Sequence, residues 1–253
     1  MRVLIIFAHP DPHSFCAALL SRIEAGLRAA GHDVEIADLQ AEGFNPVFSA
    51  FDGAFFADES VPEEVLERMQ LRERVLAAAG GPIRRAIARR WLRGRSLREV
   101  ARLVYSRRPK DVLREQARVR AADGLVVIAP VYWFGFPAIL KGWMERVFTH
   151  GFAYRLTAKG WQGDVAGRIP LLTQKKALLV STTFFGADVY ESGAKDAMER
   201  LIDSWGFRYP GIRTVEHKYF WGVPIVTAET RARYLEEAYE LGLHYANSLE
   251  TVS

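Results

Sequence analysis

Residues 124–148 read GLVVIAPVYWFGFPAILKGWMERVF, and where this stretch divides decides the fold. Gly124–Ala129 is a short unbroken apolar run with two valines and an isoleucine, the composition of a strand covered on both faces. Beyond Pro137 the period changes. Ile139, Leu140, Trp143, Met144 and Val147 recur at helical spacing, and a proline suits the opening of a helix. Between strand and helix stand Tyr132, Trp133, Phe134 and Phe136. Aromatics at the tip of a strand are not needed to fill a core. They suit the floor and wall of a site for something flat.

The same alternation runs outward in both directions. Val3–Ala8 is a second apolar, β-branched run, followed by the loop His9–His13. Ser14 is placed to cap a helix whose apolar positions include Phe15, Leu19, Ile23 and Leu27, and Gly31 is placed to end it. Val34–Ala37 is a strand, and a helix over roughly Asp111–Ala122 leads into Gly124–Ala129. Lys176–Ser181 is the fourth strand, Ala194–Trp205 a helix, and Thr214–Tyr219 the fifth strand. Thr227 caps a last helix through Leu235, Ala238, Leu241 and Leu249. Alternating elements of this length imply α/β architecture, a parallel sheet with helices on both faces. Five strands fit the flavodoxin-like doubly wound order 2-1-3-4-5, in which a ligand binds outside the carboxyl ends of the strands, at the switch between the first and third. Loops after the first, third and fourth strands converge there, so Trp133 is expected beside the loop holding His9.

One segment interrupts the pattern between the second and third strands. Pro62–Ser106 reads as inserted helical material: Ile83, Ile87 and Trp91 share a face, and Ser96-Leu-Arg-Glu99 matches a capping box. Pro82–Lys110 holds eleven of the chain's 34 basic residues against a single acid, Glu99, so the remainder is net acidic and the basic character belongs to the insert. That arginine-rich surface is either a solvated face or an attractor for an anionic ligand. Residues 1–253 are expected to form one domain carrying this insert at about 62–106. Composition of 49% hydrophobic and 25% charged residues is that of a globular chain. No apolar run reaches membrane-spanning length, and the N-terminus lacks the cleavage site of a secretion signal. A cytoplasmic protein is expected. The lone Cys16 excludes an internal disulfide, no metal centre is expected, and the scarcity of aromatics among the arginines speaks against nucleic acid.

Three loops carry candidate chemistry. His9-Pro-Asp-Pro-His-Ser14 has no glycine-rich fingerprint, yet Ser14 and the free N–H groups of the following helix can hold a phosphate, with His9 as a further donor; the alternative is a capped helix and a satisfied histidine. Val131–Gly135 can pack aromatic and backbone groups on a ring system, with Gly135 allowing close approach; the alternative is a hydrophobic corner covered by a second subunit. Ser181–Tyr190 offers Thr182, Thr183 and Tyr190 to a ring's polar edge; the alternative is a turn whose Phe184 and Phe185 belong to the core.

His9…Ser14-Phe15-Cys16-Ala17, then Pro130…Trp133-Phe134-Gly135…Pro137-Ala-Ile-Leu-Lys-Gly-Trp143…Arg146-Val-Phe148, then Phe152-Ala-Tyr154, together resemble the NAD(P)H:quinone oxidoreductase (DT-diaphorase) family. The resemblance covers about Arg2–Asp38 and Asp111–Leu249 and omits the insert. It implies a dimeric flavoprotein with its site at the subunit interface. FAD (alternatively FMN) is held non-covalently, and hydride passes from NADPH or NADH to a quinone-like small molecule by a ping-pong route. It places His9, Ser14, Phe15, Cys16 and Ala17 at the flavin phosphate. Val131, Tyr132, Trp133, Phe134 and Gly135 fall at the isoalloxazine wall, and Thr182, Thr183, Phe184 and Phe185 at its polar edge. Glu229 and Arg231 fall on cofactor contacts, and Tyr154, Phe152 and Phe184 at the substrate face. Tyr190 is implied as a catalytic donor. Cys16 stands where an asparagine is usual, and Phe184-Phe185 replace a glycine pair. A family histidine is missing, with Lys195 near its place as the candidate positive charge. The resemblance also leaves two other roles open: a flavin-bearing regulatory subunit of a membrane transporter, and a biosynthetic reductase dedicated to one larger aromatic substrate.

Overall fold

The computed structural model describes residues 1–55 and 57–247. In chain order its elements are β1 (Arg2–Phe7), α1 (Phe15–Ala29), β2 (Asp33–Asp38), α2 (Ala50–Phe55), α3 (Glu63–Arg68), α4 (Leu71–Ala78), α5 (Pro82–Leu92), α6 (Leu97–Tyr105), α7 (Lys110–Ala121) and β3 (Gly124–Pro130). There follow α8 (Ala138–Val147), β4 (Tyr154–Leu156), α9 (Ala158–Trp161), β5 (Arg168–Pro170), β6 (Lys176–Thr182), α10 (Ala187–Tyr190), α11 (Ala194–Glu199), β7 (Thr214–Phe220) and α12 (Ala228–Leu243). Ser14 and Thr227 cap α1 and α12 as their positions imply. The helix expected over Ala194–Trp205 is α-helical only to Glu199 and continues as a π-helix over Arg200–Arg208. Leu249, expected on the last helix, lies outside the described residues. No helix among the described residues is long and apolar enough to cross a membrane.

The main sheet is parallel, in the order β2-β1-β3-β6-β7, which is the flavodoxin-like 2-1-3-4-5 order counted along its own strands. β4 and β5 form a separate antiparallel pair. Strands of three residues leave no periodic signal, which is why the sequence gives no hint of them.

The chain falls into two compact units, one of Met1–Asn45, Ala117–Lys141 and the residues from Thr173 on, the other of Pro46–Gln116 and Gly142–Leu172. In the first unit, alternate residues of β1, β3 and β6 (Val3, Ile5, Phe7, Val126, Ile128, Leu178 and Val180) are buried against Leu19, Ile23 and Leu27 of α1 and Ala238 of α12. Burial of this apolar surface is the main stabilising term. α1 and α12 touch through glycines: a Cβ on Gly26 would lie 2.1 Å from the Tyr239 carbonyl oxygen, and one on Gly242 2.3 Å from that of Ile23. The opposite face is covered at β7, where Tyr219 packs with Tyr190 of α10 and Met198 of α11. Register aligns Phe7 with Ile128, and Pro130 with Thr182 and Thr182 with Phe220, so the carboxyl ends of β1, β3, β6 and β7 emerge along one edge.

The second unit has its own apolar cluster, including Leu66, Leu71, Leu92, Val100, Ala101 and Val104. The capping box forms: Ser96 Oγ accepts from the Glu99 N–H while the Glu99 carboxylate accepts from the Ser96 N–H. The helical part of the opening stretch is anchored here. Arg146 is buried, its Nε 2.7 Å from Asp52 Oδ1 and its Nη1 2.5 Å from Asp111 Oδ2. Buried Trp143 donates to Glu115 Oε2 at 3.1 Å. A Cβ on Gly142 would fall 2.1 Å from the Pro46 carbonyl oxygen.

Candidate active site

At the carboxyl edge of the first unit lies a cleft of about 360 Å3, lined by His9, Phe15, Cys16, Pro130, Val131, Tyr132, Thr182, Thr183, Phe184, Val223 and Pro224. The loops after β1, β3 and β6 meet there as the topology requires. The loop after β7 joins them.

The β1 loop presents unpaired donors at the start of α1. His9 Nδ1 meets the backbone of Asp11, 3.0 Å from its N–H nitrogen and 3.1 Å from its carbonyl oxygen, while Nε2 makes no bond among the described residues. Ser14 Oγ accepts from the Ala17 N–H at 3.2 Å. The N–H groups of Phe15 and Cys16 have no acceptor among the described residues, and they open a 15-residue helix. Free donors and the positive end of the helix dipole coincide. Cys16 Sγ lies 3.1 Å from Thr182 Oγ1, tying α1 to β6, and burial pushes its thiol up to about 11, so it stays neutral near this end of the helix. Ser14 and Ala17 line a neighbouring groove of about 400 Å3 with Pro12, His13, Ser21 and Asp38.

The β3 loop is strained. Tyr132 and Gly135 exchange backbone hydrogen bonds at 2.9 and 3.1 Å, closing a two-residue turn over Trp133 and Phe134. Both central residues have positive φ, 50° and 56°. That is the signature of a type I′ turn, normally the place of Asn or Gly. Holding an L-residue with a Cβ there costs about 1–2 kcal/mol. Trp133 recovers nothing by packing, for it is 98% exposed. Its N–H and that of Phe134 have no acceptor among the described residues. Val131 and Tyr132 line the cleft, while Trp133, Phe134 and Gly135 form the turn just beyond it.

In the β6 loop the two threonines divide the work. Thr183 Oγ1 donates to the Phe185 carbonyl at 2.7 Å and accepts from the Gly222 N–H at 3.0 Å, and its own N–H and carbonyl are bonded to Phe220 and Val223. It pins the β6 and β7 loops together. Phe184 lines the cleft and is 59% exposed; Phe185 meets it edge-on at 5.1 Å. Tyr190 is buried, its ring 5.4 Å from Phe134 and 5.0 Å from Trp221, and it does not line the cleft; burial holds its phenol above the ordinary value. Lys195 is not in the lining either. Its Nζ lies 2.7 Å from Glu199 Oε1, a pairing that raises its pKa.

Glu229 opens α12, where its own N–H and the Thr227 hydroxyl hold its carboxylate below the usual range. Arg231 Nη1 lies 3.4 Å from the carbonyl of Val223, a cleft residue. Phe152 and Tyr154 belong to the second unit; Phe152 is buried, and Tyr154 stands edge-on to His150 at 5.8 Å.

Pattern alone misses Val223 and Pro224, because β7 (TVEHKYF) is too polar to advertise the loop it feeds. It also misses a buried network. Ser181 Oγ lies 2.8 Å from His217 Nε2, and His217 Nδ1 lies 2.9 Å from Asp203 Oδ1 and 3.0 Å from the Tyr219 hydroxyl. The residue types are those of an acyl-transfer triad, but Ser181 is 1% exposed and no substrate carbonyl can reach it. The network satisfies polar groups beneath a stack in which Tyr219 lies 4.0 Å from His217 and 4.6 Å from Trp221.

Comparison with known proteins bears on this geometry. The model of the family described as flavodoxin-like fold matches residues 1–241. NAD(P)H dehydrogenase (quinone) 1 of Cavia porcellus is 29% identical over 240 residues, covering 92% of this chain and 73% of that protein. An uncharacterized NAD(P)H oxidoreductase of Haemophilus influenzae is 28% identical over 240 residues, covering 94% and 92%. Among solved structures, an NAD(P)H:quinone oxidoreductase from Methanothermobacter marburgensis superposes with a TM-score of 0.68 at 24% identity over 97% of this chain and 98% of that one, a likeness that speaks to the fold.

Proposed function

The chain belongs to the flavodoxin-like fold family, and on that premise we propose that it is a flavin-dependent NAD(P)H oxidoreductase that reduces a quinone or similar flat acceptor. The observation that carries the reading is the turn at Trp133–Phe134: two aromatics held at positive φ, one almost fully exposed, with two free N–H groups, beside a cleft whose other wall is a free helix N-terminus. Strain of this kind persists where a ligand repays it. The residues fit a flavin. The His9 ring and the N–H groups of Phe15 and Cys16 suit its phosphate, and Val131, Tyr132 and the Trp133–Phe134 turn suit its ring. When bound, the flavin supplies two-electron hydride chemistry between nicotinamide and acceptor.

The chain's part is orientation and electrostatics. Thr183 and Arg231 fix the β6 and β7 loops, Cys16 with Thr182 joins α1 to the sheet, and Phe184 limits what can stack beside the wall. Because donor and acceptor would use the same face, they would alternate, which is the ping-pong order. FAD is assigned over FMN: the groove at Ser14 and Ala17 flanks the same helix N-terminus and offers room for a second half of the cofactor. The exposed aromatics Tyr132, Trp133, Phe134 and Phe184 support a homodimer in which a second copy completes the site. Tyr190 is assigned a supporting role beneath Phe134, and Lys195 no contact with the ring.

The test is an anaerobic absorbance spectrum of the purified protein, followed by NADPH and then benzoquinone. A yellow protein that bleaches with NADPH and recovers its colour with quinone is the expected result. A protein that stays colourless after addition of FAD and FMN would overturn the site. Bound flavin that neither NADPH nor NADH bleaches would replace the reductase reading with a regulatory one. Sedimentation of the yellow protein checks the dimer.

A further inference from the structure

We propose that the second unit carries a binding site of its own, for an amphipathic carboxylate with one anionic head on a compact apolar body. The site is a cavity of about 350 Å3 among α2, α4, α5 and α6, whose lining shares no residue with the cleft described above. Its floor is made by buried Ala54 and Val104, and the half-buried Trp91 forms one wall. The reason for the space is in the sequence: Ala78, Ala79 and Ala88 line the cavity, where larger aliphatic side chains would close it.

The rim supplies the head group's partners. Arg84 and Arg107 both line the cavity and are both exposed, which places them at its opening. Neither makes an ion pair among the described residues; Arg107 lies over the Trp91 ring at 5.7 Å. Three acids of this unit are engaged elsewhere: Asp52 with Arg146 and Ser49, Glu99 with Ser96, and Glu59 with Arg102. A concave apolar cavity of this size with a small number of placed polar groups has the make-up of a small-molecule site. Two guanidiniums select the charge of the ligand, and their planar fork matches a carboxylate. A neutral apolar ligand would leave them unused, and a cation would be repelled. The chemistry points to a fatty or aryl carboxylate of modest size.

Decanoate, kept below its micellar range, is the probe, with decanol and decyltrimethylammonium as controls. Binding to the full-length protein is followed by calorimetry and by Trp91 fluorescence, using Trp91→Phe to assign the signal. Saturable one-to-one binding of decanoate, about ten-fold or more tighter than decanol, is expected. Arg84→Gln with Arg107→Gln should remove that preference and leave decanol binding unchanged. Those two residues are on the surface, so the double variant keeps its fold and the comparison stays readable. Ala88→Phe should abolish binding of both, with circular dichroism as the check that the helices persist. Three outcomes would overturn the proposal: equal affinity for the three probes, no saturable binding, or decanoate binding indifferent to the double arginine substitution. Binding to phosphatidylserine vesicles without saturable decanoate binding would also overturn it, identifying exposed Ile83 and Ile87 on basic α5 as a membrane-facing patch instead.

Discussion

The turn at 132–135 and the helix that follows it come from one continuous stretch, yet they are built on opposite principles. In the turn, large side chains are exposed, the backbone is left-handed and N–H groups are free. In the helix, Trp143 and Arg146 are buried with their polar atoms bonded to Glu115, Asp52 and Asp111, and Gly142 is pressed against the Pro46 backbone. The helix lowers the free energy of the folded chain; the turn raises it. The lesson is that the most specific part of a sequence motif need not be the part that meets the ligand. Pro-Ala-Ile-Leu-Lys-Gly-Trp is closely packed, while the adjoining Trp-Phe-Gly is the part proposed to bear the ring site.

The largest expected effect falls on the helix. Arg146→Met would leave Asp52 and Asp111 without their cation and destabilise the protein by about 3–5 kcal/mol in urea unfolding, while flavin affinity of the folded fraction stays within about two-fold. A large loss of flavin at unchanged stability would erase the distinction between the two regions. Trp133→Gly should do the reverse: flavin binding weakens about 10- to 100-fold. Stability rises by about 0.5–1 kcal/mol, because relief of about 1–2 kcal/mol of left-handed strain exceeds the added chain entropy of glycine. A destabilised Trp133→Gly protein would show that the turn is not strained.

A smaller effect tests the cleft floor through pH. The Cys16 thiol is raised to about 11 by burial, above its unfolded value, so its contribution is full below the unfolded thiol pKa and is lost as pH rises toward 11. Between pH 8 and 10 wild type should lose about 1 kcal/mol more than Cys16→Ala, measured as the difference in their denaturation midpoints. Equal losses would place the thiol in contact with water. The smallest effect sets the zero: Ile83→Gln on α5, exposed but unstrained, should shift stability by no more than about 0.5 kcal/mol.

Much of the fold was written in periodicity. The five strands of the sheet, the caps at Ser14 and Thr227 and the capping box at Ser96 are local signals, and each depends on residues within a few positions of one another. What escaped was long-range or short. The β4–β5 pair has three residues a side, and the π-helix at Arg200–Arg208 changes the register that carries Asp203 to His217, a shift no spacing rule reports. In the cleft, His9, Phe15, Cys16, Val131, Tyr132, Thr182, Thr183 and Phe184 stand together as their loops imply. Tyr190 and Lys195 do not join them, because an aromatic stack and an i,i+4 ion pair claim those side chains first. Residue identity announces what a side chain can do, and only packing decides whether it is free to do it.

The left-handed pair at 133–134 has a consequence for anyone selecting for heat resistance. Asn-Gly is the preferred occupant of a type I′ turn, so a library screened on the bare protein would favour that replacement at these two positions. On the proposed reading the winners would melt later and lose their colour. A screen run with flavin present would then keep the tryptophan, because a bound ring would supply the contact its backbone geometry is strained to make.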